Sequence, residues 1–91
     1  MLSITRYRLK PFLTKAETSE LMALFANVGA TSGEVAHYVD TAGGGGWIVV
    51  ESDDPTMDYA NTIRYAPYMV LETSIVIPID AAVPSILASL A

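Results

Sequence analysis

The sequence has no cysteine. Disulfides, iron–sulfur clusters, thiolate nucleophiles and thiolate zinc sites are therefore excluded. Histidine is almost missing: His37 stands alone and cannot supply the imidazoles of an ordinary catalytic zinc site. An all-carboxylate metal site is not excluded by counting. Positive charge is scarce. Arg6, Arg8, Lys10, Lys15 and Arg64 face 10 acidic residues, for a formal net charge of −5. Phosphate backbones need a basic patch, so nucleic acid is not an expected partner. Long apolar runs are also lacking. The most apolar stretch, 69–79, is too short to span a bilayer and is broken by Glu72 and Pro78. The first ten residues alternate, with no apolar block or small-residue cleavage pattern, so they do not read as a signal peptide. The expectation is a soluble, cytoplasmic protein with no membrane partner.

What is present is apolar side chain. A length of 91 residues fits one domain, 1–91. The hydrophobic fraction of 52% against 16% charged rules out disorder. A small globule has much surface for its volume, so these few polar residues do not coat it. Some apolar surface is expected to face another chain.

Residues 2–9 (LSITRYRL) alternate and read as a strand that Pro11 ends. Thr14 and Glu17 have the capping-box spacing. Behind them Leu21, Leu24, Phe25 and Val28 fall on one helical stripe, and Gly29 suits the helix end. Residues 34–41 and 47–52 read as strands joined by a glycine-rich turn over 42–46. Asp54 as N-cap and Pro55 as first helical residue start a second helix over about 55–66. Its inward residues are expected to be Met57, Ala60 and Ile63. Residues 69–78 form a fourth strand. Asp80 caps a short terminal helix bearing Val83, Ile86, Leu87 and Leu90, with Pro84 tolerated in its first turn.

The fold class is thus α+β: a ferredoxin-like β-α-β-β-α-β order with a four-stranded antiparallel sheet and a short C-terminal helix. Right-handed crossovers place both main helices on one face. The other face is left bare, and strand alternation alone leaves its parity open. The mixed sets, Tyr7, Trp47 with Glu51, and Glu72 with Ser74, are expected there. Such a face suits a sheet-to-sheet homodimer.

The stretch GGGGWIVVESDDP, the YAP-Y helix and the strand leading to VIPIDAAVP resemble a small family of unknown function in the dimeric α/β barrel superfamily. The resemblance covers most of residues 33–84 and implies the ferredoxin-like fold and a homodimer. It implies no activity, because the superfamily holds cofactor-free monooxygenases, isomerases and proteins with no known role.

Each chemical candidate has a plainer reading. Gly43 to Gly46 precede a strand, so they read as a hairpin turn and not as a phosphate cradle. His37 has the residue type of a general base, or of a packed sheet residue. With it, Tyr38, Glu51 and Glu72 are the catalytic candidates; the two glutamates otherwise partner Arg6 or Arg8 across the sheet. Tyr7, Trp47, Tyr65 and Tyr68 are the candidate ligand-binding residues, or core and interface packing. Asp53 and Asp54 are explained by helix capping, and with Asp58 they lack the spacing of a calcium loop, so no metal is expected. No cofactor is expected either. The expected function is a homodimer holding a small apolar or aromatic molecule in a sheet-face cavity. The alternatives are a cofactor-free enzyme of monooxygenase or isomerase type, and a protein-interaction module.

Overall fold

The computed structural model describes residues 1–29 and 33–91. The elements run β1 (Leu2–Leu9), α1 (Lys15–Gly29), β2 (Glu34–Val39), β3 (Gly45–Glu51), α2 (Pro55–Thr62), a 3₁₀ turn (Ile63–Tyr65), β4 (Met69–Val76) and α3 (Ile79–Ser89). The four strands form one antiparallel sheet in the order β2-β3-β1-β4. This is the β-α-β-β-α-β arrangement expected from the sequence, followed by a third helix.

Local signals set the starts of α1 and α2. Thr14 Oγ1 accepts from the Glu17 amide at 3.1 Å, and the Thr14 amide donates back to Glu17 Oε1 at 3.1 Å. Two otherwise orphaned donors are satisfied reciprocally. The Thr14 amide, and after it the Thr14 hydroxyl, hold the Glu17 carboxyl below its ordinary range. Asp54 accepts from the Met57 amide at 3.1 Å, with Pro55 in the first turn.

The core lies between the sheet and α1. Tyr7, Leu21, Val28, Ile48, Tyr65 and Met69 are buried together, with Leu24, Phe25, Val50 and Leu71 packed around them. The expected α1 stripe therefore faces the sheet. The β1 partners fix the parity. Tyr7 lies opposite Gly46 and Leu71, on the helix side, whereas Arg6 lies opposite Trp47 and Glu72, on the open side. Tyr7 thus corrects the expectation that it belongs to the bare face. Leu2, Ile4, Arg6 and Arg8 hold that face instead, beside Trp47, Val49, Glu51, Val70 and Glu72.

Two helices differ from expectation. In α2 the residues expected inward face out: Met57 and Ile63 are about half exposed. Asp58, Asn61 and Thr62 turn toward a cavity instead. The helix is short and ends in a 3₁₀ turn, so burial of Tyr65 sets its rotation. The terminal helix is flanked by Pro78, not capped by Asp80, and Pro84 lies in its interior. None of its residues is buried, and Val83, Ile86, Leu87 and Leu90 stay in the open. Among the described residues, no helix is long and apolar enough to cross a membrane.

Leu21 is 1% exposed at the centre of this core. Leu21→Ala is expected to lower unfolding stability by about 2–5 kcal/mol, read by urea denaturation.

Candidate functional site

Among the described residues, the helix side of the sheet carries a pair of cavities that bear on the site. The first, of about 180 Å³, lies between the β3, β1 and β4 strands and the facing parts of α1 and α2. Its walls include Val28, Ile48, Val50 and Leu71, and its polar groups include Thr5, Thr73, Glu34, Asp58, Asn61 and Tyr65. Thr5 and Thr73 lie directly opposite on paired strands, and their hydroxyls bond each other at 2.7 Å. The Asn61 Nδ2 is buried and has no hydrogen-bond partner among the described residues. Burial pushes the Tyr65 hydroxyl up to about 12, with the Glu34 charge adding to the rise.

The second cavity, of about 410 Å³, lies beside α1 and the β2–β3 hairpin. Tyr7, Phe25, His37, Asp40 and Gly43 to Gly45 line part of it. Its polar centre is a hydrogen bond of 2.7 Å between Tyr7 Oη and His37 Nε2. These residues sit on β1 and β2, with β3 between them.

The bridge depends on what β3 lacks. Gly46 stands opposite Tyr7, and a Cβ there would lie 2.6 Å from the Tyr7 hydroxyl and would also meet the Tyr38 carbonyl. An aromatic ring laid over a strand glycine recovers packing that the glycine cannot give. Here it also carries the hydroxyl across to β2. The glycine run therefore has two uses. Gly43 and Gly44 take positive φ of 82° and 86° in the turn, while Gly45 and Gly46 are strand residues.

The other face of the imidazole is set by Glu34, whose Oε1 lies 3.6 Å from His37 Nδ1. A carboxylate there favours the proton on Nδ1 and leaves Nε2 to accept from the Tyr7 hydroxyl. Burial raises the Tyr7 hydroxyl above its ordinary range, and the Asp40 and Glu34 charges reinforce this. Phe25 closes the group: its ring centroid is 5.1 Å from His37, 5.8 Å from Tyr7 and 5.2 Å from Tyr65.

The catalytic candidates do not converge. His37 faces the helix side, while its neighbour Tyr38 is two-thirds exposed. Glu51 Oε1 lies 2.7 Å from the Met1 amino group, on the open side. Glu72 is opposite Arg6 on paired strands. Arg6 turns the other way, with its Nη2 2.9 Å from Asp40 Oδ2 and its guanidinium 4.8 Å from the Trp47 ring centre. Stacking on Trp47 and a short bond to Asp40 hold the guanidinium on the hairpin side. The aromatic candidates divide as well. Trp47 is on the open face, and Tyr7 and Tyr65 are in the core. Tyr68 packs against that core and donates to Glu20 Oε2 at 3.0 Å.

Sequence reasoning missed Glu34, Asn61, Thr5 and Thr73. Strand pairing signals the two threonines, and the i, i+3 spacing of Glu34 and His37 was visible in the sequence. Nothing in the sequence signals Asn61, because its role follows from the rotation of α2. Among the described residues, no group of three His, Asp or Glu gathers as a metal cage.

Gly46→Ala is expected to lower stability by about 1–3 kcal/mol, as overpacking does. It should also break the Tyr7–His37 hydrogen bond, read as a change in the His37 side-chain nitrogen shifts by NMR. Stability should fall between about pH 10 and pH 12. The unfolded Tyr65 loses its proton near 10 while the folded one holds it to about 12, so the folded state binds the extra proton. The slope from this group is at most about 1.4 kcal/mol per pH unit. Tyr65→Phe should flatten that limb of a urea-midpoint profile.

The chain has no match among curated proteins. A family described as a domain of unknown function, DUF3303, matches residues 4–90. The Tyr7–His37 bridge and the second cavity lie within that span, as do all of the sheet but its first two residues and all of the first cavity's lining but Met1 and Ser3, and the chain belongs to the DUF3303 family.

Proposed function

We propose that this domain is a homodimeric binding protein of the dimeric α/β barrel type, joined through its open sheet faces and holding a small apolar or aromatic molecule on the helix side. The observation that carries the reading is the first cavity: apolar walls around Asn61, whose buried Nδ2 has no partner among the described residues. A buried donor left unpaired costs about 1–3 kcal/mol. A ligand carbonyl placed there removes that penalty, and Glu34 and Asp58 on the same wall are acceptors for a ligand N–H.

The open face supports self-association. Ile4, Val49 and Val70 are apolar, and Tyr38 and Trp47 expose their rings. Arg8 and Glu72 are exposed on this face, and neither has an ion pair among the described residues. A two-fold axis through the sheet offers each a counter-charge from a second copy. The exposed apolar stripe of α3 argues the same way, since an isolated helix of 11 residues is marginal in water. Cofactor-free enzyme chemistry is the second reading, and the Tyr7–His37 hydrogen bond is what favours it.

Benzamide is a suitable probe of the cavity, being neutral and aromatic with both an acceptor and N–H donors. Its titration should shift the Asn61 side-chain amide resonance. Asn61→Leu should weaken binding about 2- to 10-fold, the value of one net hydrogen bond. An unmoved Asn61 resonance, or equal affinity of the variant, contradicts the binding proposal. Sedimentation equilibrium should give twice the chain mass for the native protein. Ile4→Lys should give the chain mass with unchanged circular dichroism.

A further inference from the structure

The Tyr7–His37 bridge has a property that the binding proposal for the first cavity does not use. The hydroxyl and the imidazole share one hydrogen bond of 2.7 Å, and its direction depends on the charge of the ring. When His37 is neutral with its proton on Nδ1, Tyr7 donates to Nε2. When His37 is protonated, Nε2–H donates to Tyr7 Oη and Nδ1–H faces Glu34 at 3.6 Å. The Tyr7 proton then loses its acceptor. Tyr7 is 2% exposed, and no other hydrogen-bond partner of its hydroxyl is found among the described residues. The free proton must find an acceptor in the space that Tyr7 lines, which is the second cavity.

We propose that the second cavity is a binding site for a small neutral carbonyl compound, which accepts a hydrogen bond from Tyr7 when His37 is protonated. The charges around it select the class. Glu34 on β2 faces His37, and Asp40 at the end of β2 is paired with Arg6 on β1 at 2.9 Å. From α1 the cavity receives Thr18, Leu21, Met22 and Phe25, none of which titrates. With His37 protonated, the two carboxylates and two cations balance. A carboxylate ligand would leave one uncompensated negative charge in an apolar site, whereas a ketone or ester adds an acceptor and no charge. Phe25 and Leu21 supply the apolar wall for its hydrocarbon part.

The test uses the full chain and acetophenone, with ethylbenzene as the same body lacking the acceptor. Acetophenone should bind about 2- to 10-fold more tightly at about pH 5 than at about pH 8. Ethylbenzene should show no such change. Tyr7→Phe, which keeps the ring, should erase the pH dependence for acetophenone. Amide shifts should appear at Leu21, Phe25 and Val39, near the second cavity, not at Val50 and Leu71 near the first. Affinity that does not change with pH, an equal pH response for ethylbenzene, or shifts confined to Val50 and Leu71 would overturn the proposal. If Tyr7→Phe does not fold, His37→Gln serves, since Gln does not titrate and should equally remove the pH response. Benzamide binding in the first cavity is independent of these outcomes, so the two readings fail separately.

Discussion

One close approach organises the helix side of this sheet: the Tyr7 ring lying over Gly46. A residue with a Cβ at 46 would push the ring away, because the added carbon meets both the Tyr7 hydroxyl and the Tyr38 carbonyl. With glycine there, Tyr7 reaches over β3 and ties β1 to His37 on β2. The imidazole then meets Glu34 on one side and the Phe25 ring on another. Phe25 in turn touches Tyr65 in the turn after α2. A chain of four rings therefore joins β1 and β2, across β3, to α1 and to the turn after α2. It also separates the two cavities, with Tyr65 on the wall of one and Tyr7 on the wall of the other.

The same packing explains why α2 turns a polar side inward. Tyr65 must be buried against Phe25, and that fixes the rotation of the turn and of the helix before it. Asp58, Asn61 and Thr62 then look into the first cavity while Met57 and Ile63 remain partly exposed. A polar face turned toward a cavity is locally unfavourable. Such conflicts between local preference and final structure concentrate at functional sites.

The architecture was legible because it rests on local signals. Alternation in 2–9, the Thr14–Glu17 box, the Asp54–Pro55 start and the α1 stripe each specify an element, and topology follows from their order. The site was less legible, for two physical reasons. Strand alternation gives two faces without naming them, so Tyr7 was placed on the wrong one; the glycine opposite it is what decides. The inward face of α2 depends on a contact between Tyr65 and Phe25, 40 positions apart, which helical spacing does not encode. The terminal helix shows a third limit. Its apolar residues form a stripe, yet none of them is buried among the described residues. A sequence records that a stripe is apolar and not whose surface covers it.

The most direct test of this account is the state of His37 itself. In protein carrying ¹⁵N-labelled histidine at about pH 8, the side-chain shifts report which ring nitrogen holds the proton. The Tyr7–His37–Glu34 geometry predicts the proton on Nδ1, with Nε2 bare and coupled to the Tyr7 hydroxyl proton, and with that coupling absent in Tyr7→Phe. A proton on Nε2, or a ring that samples both tautomers equally and shows no coupling to Tyr7, would contradict it.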